Sequence, residues 1–303
     1  MNPRFTFAIC TFNRADVLPL AIRAAAAVIP VEGDFEVLVV DNVSTDDTPK
    51  VLDQLCPEIP RLRRCVETQK GLSHARNGAI REARGEWIIF LDDDALVVPG
   101  YLQTLEKLLA EENNIVACGG IIEVGWLSPV PDWYEPGLDV HFNHHYLSSY
   151  RMEIKYPYAV YGTNMCYPTE LLRNHGGFSK DFGYAGTHES ITGEDVEMQL
   201  RLQLAGAGRT VWEPELRVRH LIHPGRLTPA KLQSKVEWSG RSTARMNRVH
   251  KQLGFHRILR GIAIKYRLRR LLGRGPKNLT GIIHEAYHRA YLEEWSRWRP
   301  KSS

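Results

Sequence analysis

Long apolar runs are missing from this 303-residue chain. None reaches the roughly 18 residues of a membrane-spanning helix. A secretory leader is not expected, because Met1 to Arg4 leads straight into a short apolar run with no cleavage-type sequence. Cysteine is scarce. The five thiols (Cys10, Cys56, Cys65, Cys118, Cys166) are scattered, odd in number and form no CxxC pair, which argues against a disulfide framework. They read as buried, reduced thiols of a cytoplasmic protein, with Cys10 and Cys166 inside apolar runs. Internal repeats and low-complexity tracts are absent as well. What remains is an ordinary globular composition, 43% hydrophobic and 24% charged. The length fits one large domain, or a domain with a substantial extension.

Acidic residues are also scarce in the last quarter. Residues 226–303 hold 4 Asp and Glu against 19 Lys and Arg, a balance of +15. Residues 1–225 hold 31 against 20, a balance of −11. A tail this one-sided calls for an anionic partner: a bilayer, a nucleic acid, or the acidic body of its own or another subunit. A solvated basic helix is the plain alternative. Over residues 255–272, Ile258, Leu259, Ile262, Ile264, Leu268, Leu271 and Leu272 interleave with Arg257, Arg260, Lys265, Arg267, Arg269 and Arg270. This basic amphipathic pattern points to an anionic membrane surface, with homodimerisation as the alternative. No nucleic-acid motif accompanies the charge, so nucleic acid is not an expected partner. The expected location is the cytoplasm, peripheral at the inner face of the cell membrane.

The first half alternates strand and helix patterns. Phe5 to Cys10, Phe35 to Val40, a short stretch at Arg64 to Val66, and Glu86 to Leu91 read as strands. Between them lie helical patterns at Ala15 to Val28, from Pro49 to about Leu55 with Thr48 as N-cap, and at Ser73 to Ala83. The β-α-β-α-β order predicts a mostly parallel sheet flanked by helices. Ligands of such sheets sit beyond the carboxyl ends of the strands, where Asp41 and Asp92 fall. Residues 121–161 are aromatic and turn-rich, and Glu194 to Leu204 has a helical period. After His220 the chain reads as basic helices, with breaks near Gly254 and from Gly273 to Pro276.

Asp92-Asp93-Asp94 is the most informative stretch. Three adjacent carboxylates repel one another, and a hard divalent cation supplies a reason to gather them. Such an ion would bridge two phosphates and offset the charge on a departing nucleoside diphosphate. A solvated acidic turn is the plain alternative, which the preceding buried strand disfavours. Asp41, with Asn42 and Ser44, is placed to accept bonds from a base or ribose, or simply to form a turn. Gly71 to Asn77 opens a helix, and its Arg76 could reach a phosphate or orient an aspartate. Trp126, Trp133 and Tyr134 could stack on a sugar, fill a small core or form a subunit contact. His141, His144 and His145 lack a metal-binding frame, so zinc is not expected.

In order, these pieces resemble family 2 of the glycosyltransferases, an inverting family whose catalytic domain has the GT-A fold. The resemblance rests on Ile9 to Arg14, Val39 to Thr48, Gly71 to Asn77 and Phe90 to Asp94. It continues through Tyr161 to Asn164, Gly176 to Phe178 and Gly193 to Glu197. It ends with His220 six residues before Arg226, then Gly240 to Ser242. It implies an α/β, GT-A (Rossmann-like), mostly parallel sheet flanked by helices, with a basic helical C-terminal extension. The implied catalytic domain is 1–225, with a nucleotide-sugar-binding half (1–120) and an acceptor and catalytic half (121–225); 226–303 is the extension. The implied donor-binding residues are Thr11, Asn13, Arg14, Asp41, Asn42, Ser44, Gly71, Arg76, Asp92 and Asp93. Asp94 and His220 are the implied ligands of Mn2+ or Mg2+. Asp195 matches the general base, with Glu194 as its rival. Trp126, Trp133, Tyr134 and Asn164 are the expected acceptor contacts.

The implied activity is transfer of a sugar from a nucleotide diphosphate sugar, UDP first, to a hydroxyl of a glycan or lipid-linked acceptor in envelope or polysaccharide synthesis. Two other readings are weighed against it. A sugar-nucleotide pyrophosphorylase would favour a Gly-rich, basic early loop, whereas Thr11-Phe12-Asn13-Arg14 holds no glycine. A non-catalytic sugar-nucleotide or nucleic-acid binding module would leave Asp94, Asp195 and His220 together unexplained.

Overall fold

The computed structural model describes residues 2–29, 34–135, 137–183, 191–223, 228–273 and 275–297. Each apolar run of the first half forms a strand: β1 (Phe5–Thr11), β2 (Phe35–Asp41), β3 (Leu62–Val66) and β4 (Trp87–Asp92). Helices α1 (Leu18–Ala26), α2 (Thr48–Glu58) and α3 (Leu72–Glu82) connect them. There follow β5 (Ala95–Val97), α4 (Tyr101–Glu111), β6 (Ile115–Gly119) and β7 (Ile122–Trp126). A 3₁₀ turn at Asp139–Phe142 precedes β8 (Met152–Ile154), β9 (Met165–Pro168), α5 (Thr169–Asn174), α6 (Glu194–Leu204), β10 (Arg209–Trp212) and β11 (Val218–Ile222).

Eight strands form one sheet in the order β3-β2-β1-β4-β9-β6-β10-β8. The pairs β1–β2, β1–β4, β2–β3 and β6–β10 are parallel, and β9 and β8 run antiparallel to their neighbours. Strand residues alternate between two cores, as the period of two demands. Phe5, Phe7, Ile9, Val37 and Val39 face a core shared with α1, α2 and α4. Ala8, Leu38, Val40, Ile88 and Phe90 face one shared with α3, α5 and α6. A sheet buried on both faces explains why the strands read as continuous apolar runs. A second sheet, β5-β11-β7, brings the end of the aspartate run beside His220.

Several boundaries differ from the sequence reading: β3 starts at Leu62 rather than Arg64, α2 runs past Leu55 to Glu58, and Gly254, where a break was expected, lies within the helix Leu253–Leu271. Helix α1 starts at Leu18 rather than Ala15, because Arg14 to Val17 form a turn in which Leu18 N–H donates to Arg14 C=O (3.0 Å). Pro19 then sits in the first helical turn, where its missing N–H is not needed. Thr48 is the first residue of α2 rather than its cap. Its Oγ1 accepts from Arg14 N–H (3.0 Å), and Asp46 Oδ1 accepts from Thr48 N–H (2.9 Å).

The chain divides into two compact units. The sheets and their helices lie in residues 1–125, 143–185 and 194–221. The second unit holds residues 126–142, 186–193 and 222–303, including α7 (Pro229–Val249), α8 (Leu253–Leu271) and α9 (Leu279–Arg297). Thr228 caps α7, its Oγ1 accepting from Lys231 N–H (3.3 Å) ahead of Pro229. Gly240 lets α9 approach closely, since a Cβ there would stand 2.3 Å from Tyr287 C=O. The start of α9 is held from far away in sequence. Glu135 accepts from Leu279 N–H (3.2 Å), Thr280 N–H (3.1 Å) and Thr280 Oγ1 (2.7 Å), placing a negative charge at a helix N-terminus. No helix among the described residues is long and apolar enough to cross a membrane.

Candidate active site

The site is built at the carboxyl edge of β1, β2 and β4. Asp92 ends β4, and Asp93 and Asp94 form the turn into β5. The turn brings Asp92 and Asp94 together beside His220 and sends Asp93 toward β1. Asp92, Asp94 and His220 each offer one ligand atom, all within 4.8 Å of one another. Asp94 and His220 are almost fully buried, and His220 Nε2 lies 3.1 Å from Asp94 Oδ1. His220 reaches this point because β11 runs antiparallel to β5, setting His220 opposite Ala95. Leu221 N–H also donates to Asp94 C=O (2.8 Å).

Asp93 turns toward β1. It accepts from Thr11 Oγ1 (2.8 Å) and Arg14 Nε (3.2 Å), while Arg14 also pairs with Asp94. Burial and the neighbouring Asp94 charge push the Asp93 carboxyl up to about 7, against the pull of Arg14 and Thr11. Burial disfavours the Arg14 cation, but Asp93 and Asp94 hold its pKa above the ordinary arginine value.

The other wall is organised by Arg76. It is buried on α3, pairs with Glu194 and lies 3.7 Å from Asp92 Oδ1. Burial opposes its charge, yet Glu194, Asp92 and Asp195 together raise its pKa. Burial raises the Glu194 pKa, Arg76 pulls it down, and the Asp195 and Asp92 charges push it further up. Gly162 packs on this cation; a Cβ there would lie 2.1 Å from Arg76 Nη2. The adjoining turn is closed by Asn164 N–H donating to Tyr161 C=O (2.7 Å). Two consecutive residues of this turn hold the two carboxylates. Gly162 N–H donates to Asp195 Oδ2 (2.8 Å), and Thr163 Oγ1 donates to Asp92 Oδ2 (2.5 Å). Asp195 is half-buried, whereas Glu194 is 4% exposed.

The loops after β1 and β2 interlock. Asn13, at φ 54°, accepts from Thr45 N–H (2.7 Å), and its own N–H donates to Ser44 Oγ (2.9 Å). Ser44 N–H donates to the buried Asp41 (3.0 Å). Asn42 donates to Glu67 and Gln69 carbonyls (2.9 and 2.8 Å) and accepts from Gly71 N–H (2.7 Å). Gly71 takes φ 134°, a conformation that favours glycine, directly before α3.

Thr11, Arg14, Arg76, Asp92, Asp93, Asp94, Glu194, Asp195 and His220 thus form one continuous network, with Asp41, Asn42, Ser44, Asn13 and Gly71 in the adjoining loops. Asn164 requires a correction. It is fully buried, accepts from Tyr101 Oη (2.6 Å) and donates to Ile121 and Leu216 carbonyls (3.3 and 2.7 Å). With no exposed surface it braces the turn and cannot touch an acceptor. Thr163, one residue earlier and equally buried, holds Asp92 (2.5 Å), a positioning role that sequence reasoning missed. Trp126, Trp133 and Tyr134 lie in the second unit. Trp126 meets Tyr134 and Phe142 edge-on (both 5.5 Å between centroids), and Trp133 lies 6.4 Å from Phe142. They make a small aromatic core in which all three remain half-buried. Arg226 lies outside the described residues.

Residues 6–168 match the family described as Glycosyl transferase family 2. The chain belongs to this family. That membership makes it a glycosyltransferase and sets aside the pyrophosphorylase and binding-module readings. It is 35% identical over 86 residues to an uncharacterized glycosyltransferase, YfnE, of Bacillus subtilis, covering 28% of this chain and 22% of that protein. It is 18% identical over 246 residues to the glucosyl-dolichyl phosphate glucuronosyltransferase of Haloferax volcanii, covering 80% and 77%. It is 38% identical over 104 residues to the succinoglycan biosynthesis protein ExoO of Rhizobium meliloti, covering 34% and 29%. The chain therefore matches only a fifth to a third of two of these three relatives.

Among solved structures, GalNAc-T7 with UDP, GalNAc and Mn2+ is similar at TM-score 0.57 and 15% identity, covering 78% of this chain and 47% of that one. S. aureus TarS with UDP-GlcNAc follows at 0.56 and 18%, covering 78% and 65%. The mannosyltransferase PcManGT of Pyrobaculum calidifontis, with GDP-Man and Mn2+, is similar at 0.54 and 20%, covering 96% and 70%. The fold of this glycosyltransferase is GT-A.

Proposed function

We propose that this family 2 glycosyltransferase is an inverting, divalent-metal-dependent enzyme that moves a sugar from a UDP-sugar to a hydroxyl of a glycan or lipid-linked acceptor. The observation that carries the reading is the Asp92, Asp94 and His220 group beside a turn that also holds Asp195. UDP is favoured because two of the three similar structures hold UDP or a UDP-sugar, and GDP-mannose in the third keeps GDP as the second choice. The relatives named for succinoglycan and dolichyl phosphate chemistry support a polysaccharide or lipid-linked acceptor.

The donor set fits a divalent cation. Two carboxylate oxygens suit Mg2+ or Mn2+, and the imidazole nitrogen favours the softer Mn2+. Bound there, the ion would offset the charge that grows on the departing diphosphate. Asp41, Asn13 and Ser44 fit recognition of the base and ribose, and Arg14 holds Asp93 and Asp94 in place through its paired bonds.

Asp195 rather than Glu194 is the base in this reading. Glu194 is buried and committed to Arg76, so it cannot approach an acceptor. Asp195 keeps part of its surface free, while Gly162 and Val196 N–H groups orient its carboxylate (2.8 Å each). As the acceptor oxygen attacks the anomeric carbon, the bond to the diphosphate breaks and the hydroxyl proton passes to Asp195. A single displacement inverts the anomeric configuration and needs no covalent intermediate.

The test is release of nucleoside diphosphate from UDP-sugars, with and without Mn2+. Asp94→Ala is expected to lower turnover about 10³-fold, the factor that several kcal/mol of charge stabilisation represents. Asp195→Asn is expected to lower transfer by about 10²–10⁴ with donor binding retained. Unchanged turnover in Asp94→Ala would remove the metal assignment, and unchanged transfer in Asp195→Asn would remove the base.

A further inference from the structure

Helix α8 buries one narrow stripe. His256, Leu259 and Ala263 are buried and Tyr266 is half-buried, a spacing of three and four that marks a single helical face. That face packs within the second unit. Leu259 joins Ala244 and Tyr291 in a core cluster, His256 stacks on Trp295 at 3.6 Å between centroids, and Tyr266 stacks on His288 at 5.7 Å. A helix docked by so thin a stripe needs only polar residues elsewhere.

The opposite face is not polar. Ile258, Ile262, Ile264 and Leu268 are 37–59% exposed, and Leu271 and Leu272 at the helix end are 75% and 70% exposed. At 100° per residue Ile258, Ile264, Leu268, Leu271 and, at the C-cap, Leu272 fall on the half of the helix that faces away from the buried stripe, with Ile262 at its edge. Isolated exposed aliphatics need no explanation, but six along one face of one helix do. Arg257, Lys265 and Arg269 stand among them, and Arg260, Arg267 and Arg270 flank them. Within α8 there is no acidic residue.

We propose that α8 is a docking surface for an anionic phospholipid bilayer. It lies in the headgroup plane, the six aliphatics entering the acyl boundary and the basic side chains reaching the lipid phosphates. Both halves of the pattern are required. A nucleic acid offers phosphates but no apolar interior for six aliphatic side chains. A second copy of the same face would set Arg257, Lys265 and Arg269 of each copy, six cations, against one another with no acid from α8 to offset them. The long Arg and Lys stems lie along apolar surface while their charged ends stay at the interface, so charge and aliphatic area act on the same side. This inference concerns α8 alone and stands or falls separately from the proposed sugar transfer.

The test is flotation of this 303-residue chain with vesicles of phosphatidylcholine alone or with about 30% phosphatidylglycerol, a content that gives a negative surface potential. Binding to the anionic vesicles at low salt, its loss at about 0.5 M salt and its absence from neutral vesicles are expected. Leu268→Glu with Leu271→Glu should reduce binding more than tenfold, because two charges would have to enter the acyl boundary. Arg267→Gln with Arg269→Gln, a change that leaves the apolar face intact, should reduce it about fivefold per charge. Circular dichroism and donor hydrolysis should match the parent chain in both pairs. Failure to float with anionic vesicles, equal binding to neutral vesicles, or binding that survives both pairs would overturn the proposal. So would a dimer that dissociates on Leu268→Glu with Leu271→Glu in a chain that ignores vesicles.

Discussion

The carboxyl edge of the sheet and the outer face of α8 are both crowded with charge, but they treat it in opposite ways. At the sheet edge the signs alternate in space. Asp93 faces Arg14, Asp94 faces Arg14 and His220, and Arg76 lies between Asp92 and Glu194. Most of these groups are buried, so each charge is tolerable only because its neighbour is fixed. On α8 the charges share one sign and are exposed, Arg270 also pairing with Glu285 of α9 (3.3 Å). Water screens them, and little in the fold depends on any one of them. Net charge therefore says little about a region's role. The sheet edge holds its working charges against fixed, mostly buried partners, whereas the basic helix carries its charges on an exposed surface.

The largest expected difference comes from deleting one arginine in each region. Arg76→Met strips the buried Glu194 of its partner and should destabilise the protein by about 3–5 kcal/mol. Arg267→Gln on α8 should stay within about 0.5 kcal/mol of the parent. Urea unfolding of the two variants makes the measurement. The pairing is tested by combining Arg76→Met with Glu194→Leu. Removing both charges should recover most of the loss, since a buried pair is costly mainly when half of it is left behind. Equal effects of Arg76→Met and Arg267→Gln would erase the contrast between the regions.

Much of the sheet edge was legible in the sequence because its signals are local. Continuous apolar runs mark strands buried on both faces, and each ends at a polar residue where the sheet opens. The aspartate run was legible for the same reason. Its internal division was less so. Asp94 and His220 were expected to act together, whereas Asp92 joins them through the turn that follows β4. The bond from Thr163 to Asp92 was not legible, since which side chain of a tight turn meets which partner depends on backbone angles. Arg76 shows a similar limit: the sequence offered it a phosphate or an aspartate, and the fold adds Glu194, 118 positions away. Glu135 holding the start of α9 across 145 positions is equally invisible to any local pattern.

A smaller effect probes whether the second unit owes its helices to local rules. Thr228 caps α7 through its own hydroxyl, and Pro229 follows. Thr228→Ala should cost about 1 kcal/mol, and Thr228→Ser should restore it. Loss of no stability would mean that packing against α9 alone fixes the start of α7. The cap lies on an exposed residue, so the measurement isolates a hydrogen bond rather than a cavity.

Acid should erase the distinction between the regions, although its effect near neutral pH is the smallest. Burial holds His145 in the first unit down to about 4, a neighbouring backbone carbonyl notwithstanding. In the second unit burial, aided by His284, holds His141 and His288 down to about 4. An unfolded histidine titrates near 6.5. Between those values the unfolded chain binds more protons than the folded one, so stability rises with pH across that window. The contribution is complete above about 6.5 and drains away as pH falls toward about 4. His145→Gln should flatten that part of the stability profile, and so should His141→Gln combined with His288→Gln. If the profile keeps its slope in both variants, groups other than these three histidines govern acid unfolding; Asp93 is not among them, because its raised folded pKa lets the folded chain bind the extra proton and so opposes that slope.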